Sequence, residues 1–80
     1  MKLVRRQNYF IVQLDADDVR EFNAREHTRI PPEHCSFAFA KDTHRCIRVL
    51  PHHLRRGTTA WERMQRDALN YARGRDYHGY

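Results

Sequence analysis

Serine appears once in this 80-residue chain, lysine twice, tryptophan once, and cysteine, glycine and proline only two or three times each. Each scarcity excludes something. Two cysteines are too few for the disulfide framework of a small secreted domain. Little glycine and proline, with no biased segment, rule out a linker-like or low-complexity chain. No apolar run approaches the 18 or so residues of a membrane span, and the opening MKLVRRQNYF lacks the apolar centre of a signal peptide. The expectation is a soluble cytoplasmic protein without membrane contact. No internal repeat is visible. The lone serine, Ser36, is not in a Gly-x-Ser-x-Gly elbow, and neither a phosphate loop nor a His-Glu-x-x-His helix occurs. A chain this short also has no second lobe to close over a substrate. The sequence therefore reads as a non-enzyme without a cofactor.

What is present is one small core's worth of apolar residues, 40% of the chain, and a basic balance of 15 Lys+Arg against 10 Asp+Glu, or +5. Apolar residues run from Leu3 to Tyr71, which predicts a single domain over 1–73 with a loose tail over 74–80. Residues 2–6 and 9–14 are rich in strand formers, with Gln7-Asn8 as a turn. Alternation directs Phe10, Val12 and Leu14 to one side and Tyr9 and Ile11 to the other. At Asp15 the period changes. Asp15 can cap the amide of Asp18, and Val19 and Phe22 sit three apart, which predicts a helix over about 16–25. Asp15-Ala-Asp17-Asp18 lacks the glycine and distal glutamate of a calcium loop. Pro31-Pro32 then enforces extended chain.

From Cys35 to Leu50 a hairpin is expected, with Phe37 and Phe39 answered by Ile47 and Val49 after a polar loop. Parity favours Lys41 opposite Arg45 around Asp42-Thr43-His44, which sets Phe39 opposite Ile47 and Phe37 opposite Val49. His44 then falls where a residue tolerant of positive φ is wanted. That register puts Cys35 beside the phenylalanines and Cys46 on the other face, so no internal disulfide is expected. The last helix opens on Thr59 and Glu62, a capping-box pair, runs on Trp61, Met64, Ala68, Tyr71 and Ala72, and stops at Gly74. The sum is an α+β fold: a small antiparallel sheet of three to four strands, in the order β-β-α-β-β-α, with two helices packed on one face. Trp61 and Met64 meet the two phenylalanines.

His34, Cys35, His44, Cys46, His52 and His53 are zinc-compatible residue types within twenty positions. The hairpin separates His44 and Cys46 from the others, however, and His34, Cys35, His52 and His53 match no finger or ribbon spacing, so no metal site is assigned. The strongest polar feature is Arg55-Arg56-Gly57-Thr58-Thr59, two guanidinium groups at a helix N-terminus suited to an anion. A second basic stripe, Arg63, Arg66 and Arg73, lies on the wet side of the last helix, and acidic residues crowd the first helix. Tyr9 and Ile11, on the sheet side away from the helices, have nothing left in so small a domain to cover them, and an exposed aromatic near arginines has the residue types of a binding hot spot. Self-association across that face or across an edge strand is the competing use.

The layout of a strand, an acidic-capped helix reaching Phe22-Asn23, a Ser36-Phe37-Ala38-Phe39 hairpin and a closing Trp61…Asp67-Ala68…Tyr71-Ala72-Arg73 helix resembles small uncharacterised proteins encoded by bacterial phages and prophages. The resemblance implies a context and carries no site residues over. Such proteins often act by occluding a host machine, anti-CRISPR proteins being one class. The expected function is a protein-interaction module that inhibits a host nucleoprotein or defence complex through Tyr9, Ile11, Arg55, Arg56, Arg63 and Arg66. The alternative is nucleic-acid binding through the same arginines.

Overall fold

The computed structural model describes residues 1–50 and 59–75. Its elements run β1 (Lys2–Arg5), β2 (Tyr9–Leu14), α1 (Ala16–Glu26), β3 (Cys35–Ala40), β4 (Cys46–Leu50) and α2 (Thr59–Gly74). The four strands form one antiparallel sheet in the spatial order β1-β2-β3-β4. The class is α+β.

Strand β1 turns into β2 through Gln7-Asn8, where the Arg6 amide donates to the Tyr9 carbonyl at 2.9 Å. Phe10 faces Phe39, Val12 faces Phe37 and Leu14 faces Cys35 across the β2–β3 ladder. Because side chains alternate, these six share one side of the sheet, and all are buried. Val19 and Phe22 of α1 and Met64, Ala68 and Ala72 of α2 close onto that same side in a single cluster. Both helices thus cover one face and leave the other bare. Phe10 and Phe39 stack with ring centroids 5.4 Å apart, and the His44 ring meets Phe10 edge-on at 5.6 Å. Trp61 and Met64 reach this cluster, Trp61 only partly buried.

Helix α1 starts as its acidic opening dictates. The Asp18 amide donates to Asp15 Oδ1 at 2.9 Å and the Asp15 amide donates to Asp18 Oδ2 at 3.0 Å, a reciprocal box that satisfies two otherwise orphaned donors. It ends at His27, whose φ of 56° is left-handed. Asn23 then organises the exit. Its Nδ2 donates to the Ile30 carbonyl at 2.7 Å, while its Oδ1 accepts from the Ile30 amide at 3.0 Å and from Thr28 Oγ1 at 2.7 Å. Ile30 is buried in consequence. Arg25 of α1 pairs with Asp67 of α2, tying the two helices together.

The β3–β4 hairpin departs from the expected register. The Ala40 amide donates to the Arg45 carbonyl and the His44 amide to the Ala40 carbonyl, each at 2.9 Å, so the loop holds four residues, 41–44, and not three. His44 takes the left-handed position at φ 59°, which its ring contact with Phe10 helps to hold. Phe39 consequently pairs with Cys46. The ladder then slips, Ala38 pairing with Arg48 and Phe37 with Val49. Ile47 is the extra residue, a β-bulge that cancels the parity error of the even loop.

Two side-chain assignments change with it. Ile47 does not join Phe37, Phe39 and Val49 but turns to the bare face and is 57% exposed. Cys46, expected on the far face, instead packs against the core cluster. The bulge gives a direct test by urea denaturation. Ile47→Asp is expected to cost less than about 1 kcal/mol, as a surface change, and Val49→Asp about 3 kcal/mol or more for driving a charge against the core. Equal costs would mean that Ile47 is a core residue after all.

Candidate binding face

The bare face has a shape that follows from β3. That strand places its large side chains, Phe37 and Phe39, toward the helices, so only Ser36, Ala38 and Ala40 project the other way. Larger side chains rise on either side, Tyr9 and Ile11 from β2 and Ile47, Arg48 and Leu50 from β4. Small residues between large ones make a groove, here of about 380 Å³, lined also by Gln13. Tyr9 is 36% exposed and Leu50 37%, high values for residues of their size within a sheet.

Tyr9 and Ile11 therefore lie together in this groove. Arg63 and Arg66 do not. Both are exposed on α2, which sits on the opposite side of the sheet, and neither side chain makes a hydrogen bond or ion pair to another described residue. The sheet's thickness separates them from Tyr9, so the aromatic and arginine residues expected to form one surface form two. Arg55 and Arg56 lie outside the described residues. The groove residues that the sequence reading did not single out are Gln13, Ser36, Ala38, Ile47, Arg48 and Leu50. A signal existed for most of them: once Phe37 and Val49 point inward, Ser36, Ala38, Arg48 and Leu50 must point outward.

On the helix side, the Met1 ammonium pairs with Asp18 at 2.9 Å and the Tyr71 hydroxyl donates to the Met1 carbonyl at 2.9 Å. Partial burial works against ionisation of Asp18, but the ammonium and the Asp15 amide outweigh it and hold the carboxyl below its ordinary value. Arg75 lies over the Tyr71 ring, 5.2 Å from its centroid, and its carbonyl accepts from Arg5 at 3.2 Å. Gly74 closes α2 and Arg75 is tied to the domain by these contacts, whereas the remainder of the expected tail, 76–80, lies outside the described residues.

Among the described residues no three of His, Cys, Asp and Glu gather closely enough to hold a metal ion. His52 and His53 of the considered set fall outside those residues. Neither Cys35 nor Cys46 forms a disulfide. Burial, with the charges of Glu33 and Asp18 adding to it, pushes the Cys35 thiol up to about 11, so at neutral pH it is an inert core group against the Met64 sulfur at 4.0 Å. Alkylation by iodoacetamide is expected to modify the partly exposed Cys46 in the native protein and Cys35 only after unfolding. Mass spectrometry of peptides from native and urea-treated protein reads the order, and simultaneous labelling would place Cys35 outside the core.

No helix among the described residues is long and apolar enough to cross a membrane. No protein-family model, no curated protein and no solved structure matches the chain.

Proposed function

We propose that this chain works by binding a protein partner through the bare face of its sheet, without catalysis. The observation that carries this reading is the one-sided packing. Four strands are covered by two helices on a single side, and the other side is left with a groove flanked by Tyr9, Ile11, Ile47 and Leu50. Exposed aromatic and aliphatic side chains beside an arginine are the residue types that anchor protein interfaces. In the setting of a phage or mobile element, such a module would inhibit a host nucleoprotein or defence complex in the cytoplasm by occupying one of its surfaces.

Capture from a host lysate on tagged protein tests the reading. The partner should be retained after nuclease treatment, and Tyr9→Ala and Ile47→Asp should lose it without lowering the melting temperature. Retention by both variants would move the interface elsewhere.

A second reading has its own support in Arg63 and Arg66, which stand exposed on α2 with no partner among the described residues. Nucleic-acid binding through these arginines, with Arg55 and Arg56, predicts affinity for arbitrary DNA or RNA that falls steeply with salt. Replacing Arg63 and Arg66 by alanine should then lower the slope of log affinity against log salt by about 2. An unchanged slope excludes those two residues from phosphate contact.

A further inference from the structure

The charge on the bare face limits what can lie in its groove. Among the described residues Arg48 is the one charged residue lining it, and Lys2, paired with Gln13 at its rim, is also basic. No acidic residue among those described lines the groove: Asp15 caps α1, Asp17, Asp18, Glu21 and Glu26 lie on α1, Glu33 in the segment before β3, Asp42 in the β3–β4 loop, and Glu62 and Asp67 on α2. A second copy seated face to face across a two-fold axis would set Arg48 and Lys2 against a surface that carries the same cations and no acid. The floor of Ser36 and Ala38 has no aromatic surface on which bases could stack, and among the described residues Tyr9 is the only aromatic in the lining, fewer than a single-strand platform uses. What complements aliphatic walls with basic residues and no acid is a segment that offers apolar anchors and carboxylates together.

Resting on the interface reading above, we infer that the groove over β3 accepts an acidic, amphipathic peptide segment of a partner protein, its leucine or phenylalanine side chains entering between β2 and β4 and its carboxylates meeting Arg48 and Lys2. The small residues of β3 set the depth of the site, and Arg48 sets its sign preference. Ala38 matters most for depth, because a larger side chain there fills the groove from beneath while its Cβ stays on the side away from the core.

The test uses synthetic peptide probes and backbone amide shifts in NMR. A peptide of alternating glutamate with leucine and phenylalanine should move the amides of Ile11, Ala38 and Arg48. Its analogue with lysine for glutamate should bind roughly tenfold more weakly, and a glutamate peptide without the apolar anchors should not bind. Arg48→Glu should weaken the acidic peptide by about tenfold and favour the lysine analogue, a charge swap that damage to the fold cannot produce. Ala38→Phe should abolish binding, and Leu50→Ser, a gentler change at the wall, should weaken it. Equal binding of both peptides, shifts confined to α2, or equal displacement by single-stranded oligothymidylate would overturn the inference. Partner capture separates the two levels. Loss with Ala38→Phe but retention with Arg48→Glu leaves the face an interface and overturns its acidic preference. Retention with both variants overturns the interface reading and this inference with it.

Discussion

Phe39→Ala is expected to leave the protein largely unfolded at 25 °C. Removing a fully buried phenylalanine costs about 3–5 kcal/mol in transfer energy and cavity, while a single core in a chain of this length supplies only about 3–5 kcal/mol of net stability. Phe39 is 1% exposed, stacks on Phe10 at 5.4 Å and packs in one cluster with Met64 and Ala68, so no neighbour is free to fill the void. The milder Phe39→Leu keeps most of the volume and should cost about 1–1.5 kcal/mol. Combined with Phe10→Leu it allows a double-mutant cycle, in which a coupling of about 0.5–1.5 kcal/mol is expected from the ring pair. Urea denaturation followed by circular dichroism measures all five proteins: the parent, Phe39→Ala, Phe39→Leu, Phe10→Leu and the double leucine variant. A Phe39→Ala protein melting with the parent would place this side chain outside the core and undo the account of which face is bare.

The second large effect belongs to a residue outside the groove. Asn23→Ala is expected to destabilise by about 2–3 kcal/mol, because it leaves both the amide and the carbonyl of Ile30 without their partner in a half-buried setting. Asn23→Asp keeps the acceptor for the Ile30 amide and for Thr28 but faces the Ile30 carbonyl with a carboxylate, so it should rank between alanine and the parent only at a pH low enough to protonate it. Differential scanning calorimetry of the three proteins at two pH values reads this. A cost below about 0.5 kcal/mol for alanine, the level of an ordinary surface change, would mean that the loop from Thr28 to Ile30 is held by something else.

Neither the strength nor the role of Asn23 was visible in the sequence. An asparagine inside a helix reads as a weak helix former, and its partners lie five and seven residues on, in a loop whose path only the fold determines. The Arg25–Asp67 pair was hidden for the same reason, its members being 42 positions apart. Local signals fared better. Asp15 and Asp18 announce their helix because a capping box is a short-range interaction between named chemical groups. Phe10, Val12 and Leu14 declare their side of β2 because a two-residue period has only two phases.

The bulge shows where periodicity runs out. A four-residue loop and one extra residue in β4 give the same pairing of Phe37 with Val49 as the three-residue loop that parity favours. The two solutions differ only in where Ile47 and Cys46 point, and composition does not distinguish them. That Tyr9 and Ile11 face away from the helices was legible through alternation alone. Their separation from Arg63 and Arg66 was not, because it depends on α2 lying on the far side of the sheet. The depth of the groove was legible only in part: Ser36 and Ala38 are plainly small, but that they form a floor requires walls from two neighbouring strands.

The same irregularity at Ile47 bears on the chain's behaviour at high concentration. β4 closes one border of the sheet, and among the described residues no further strand pairs with its outer side, the kind of edge that can template another molecule. An incoming strand pairing there would have to reproduce the kink or forfeit hydrogen bonds around it. At the opposite border, Lys2 and Arg5 confront any identical newcomer with like charge. Growth of a continuous fibre by edge pairing is thus discouraged at both borders, even though the sheet leaves one face bare.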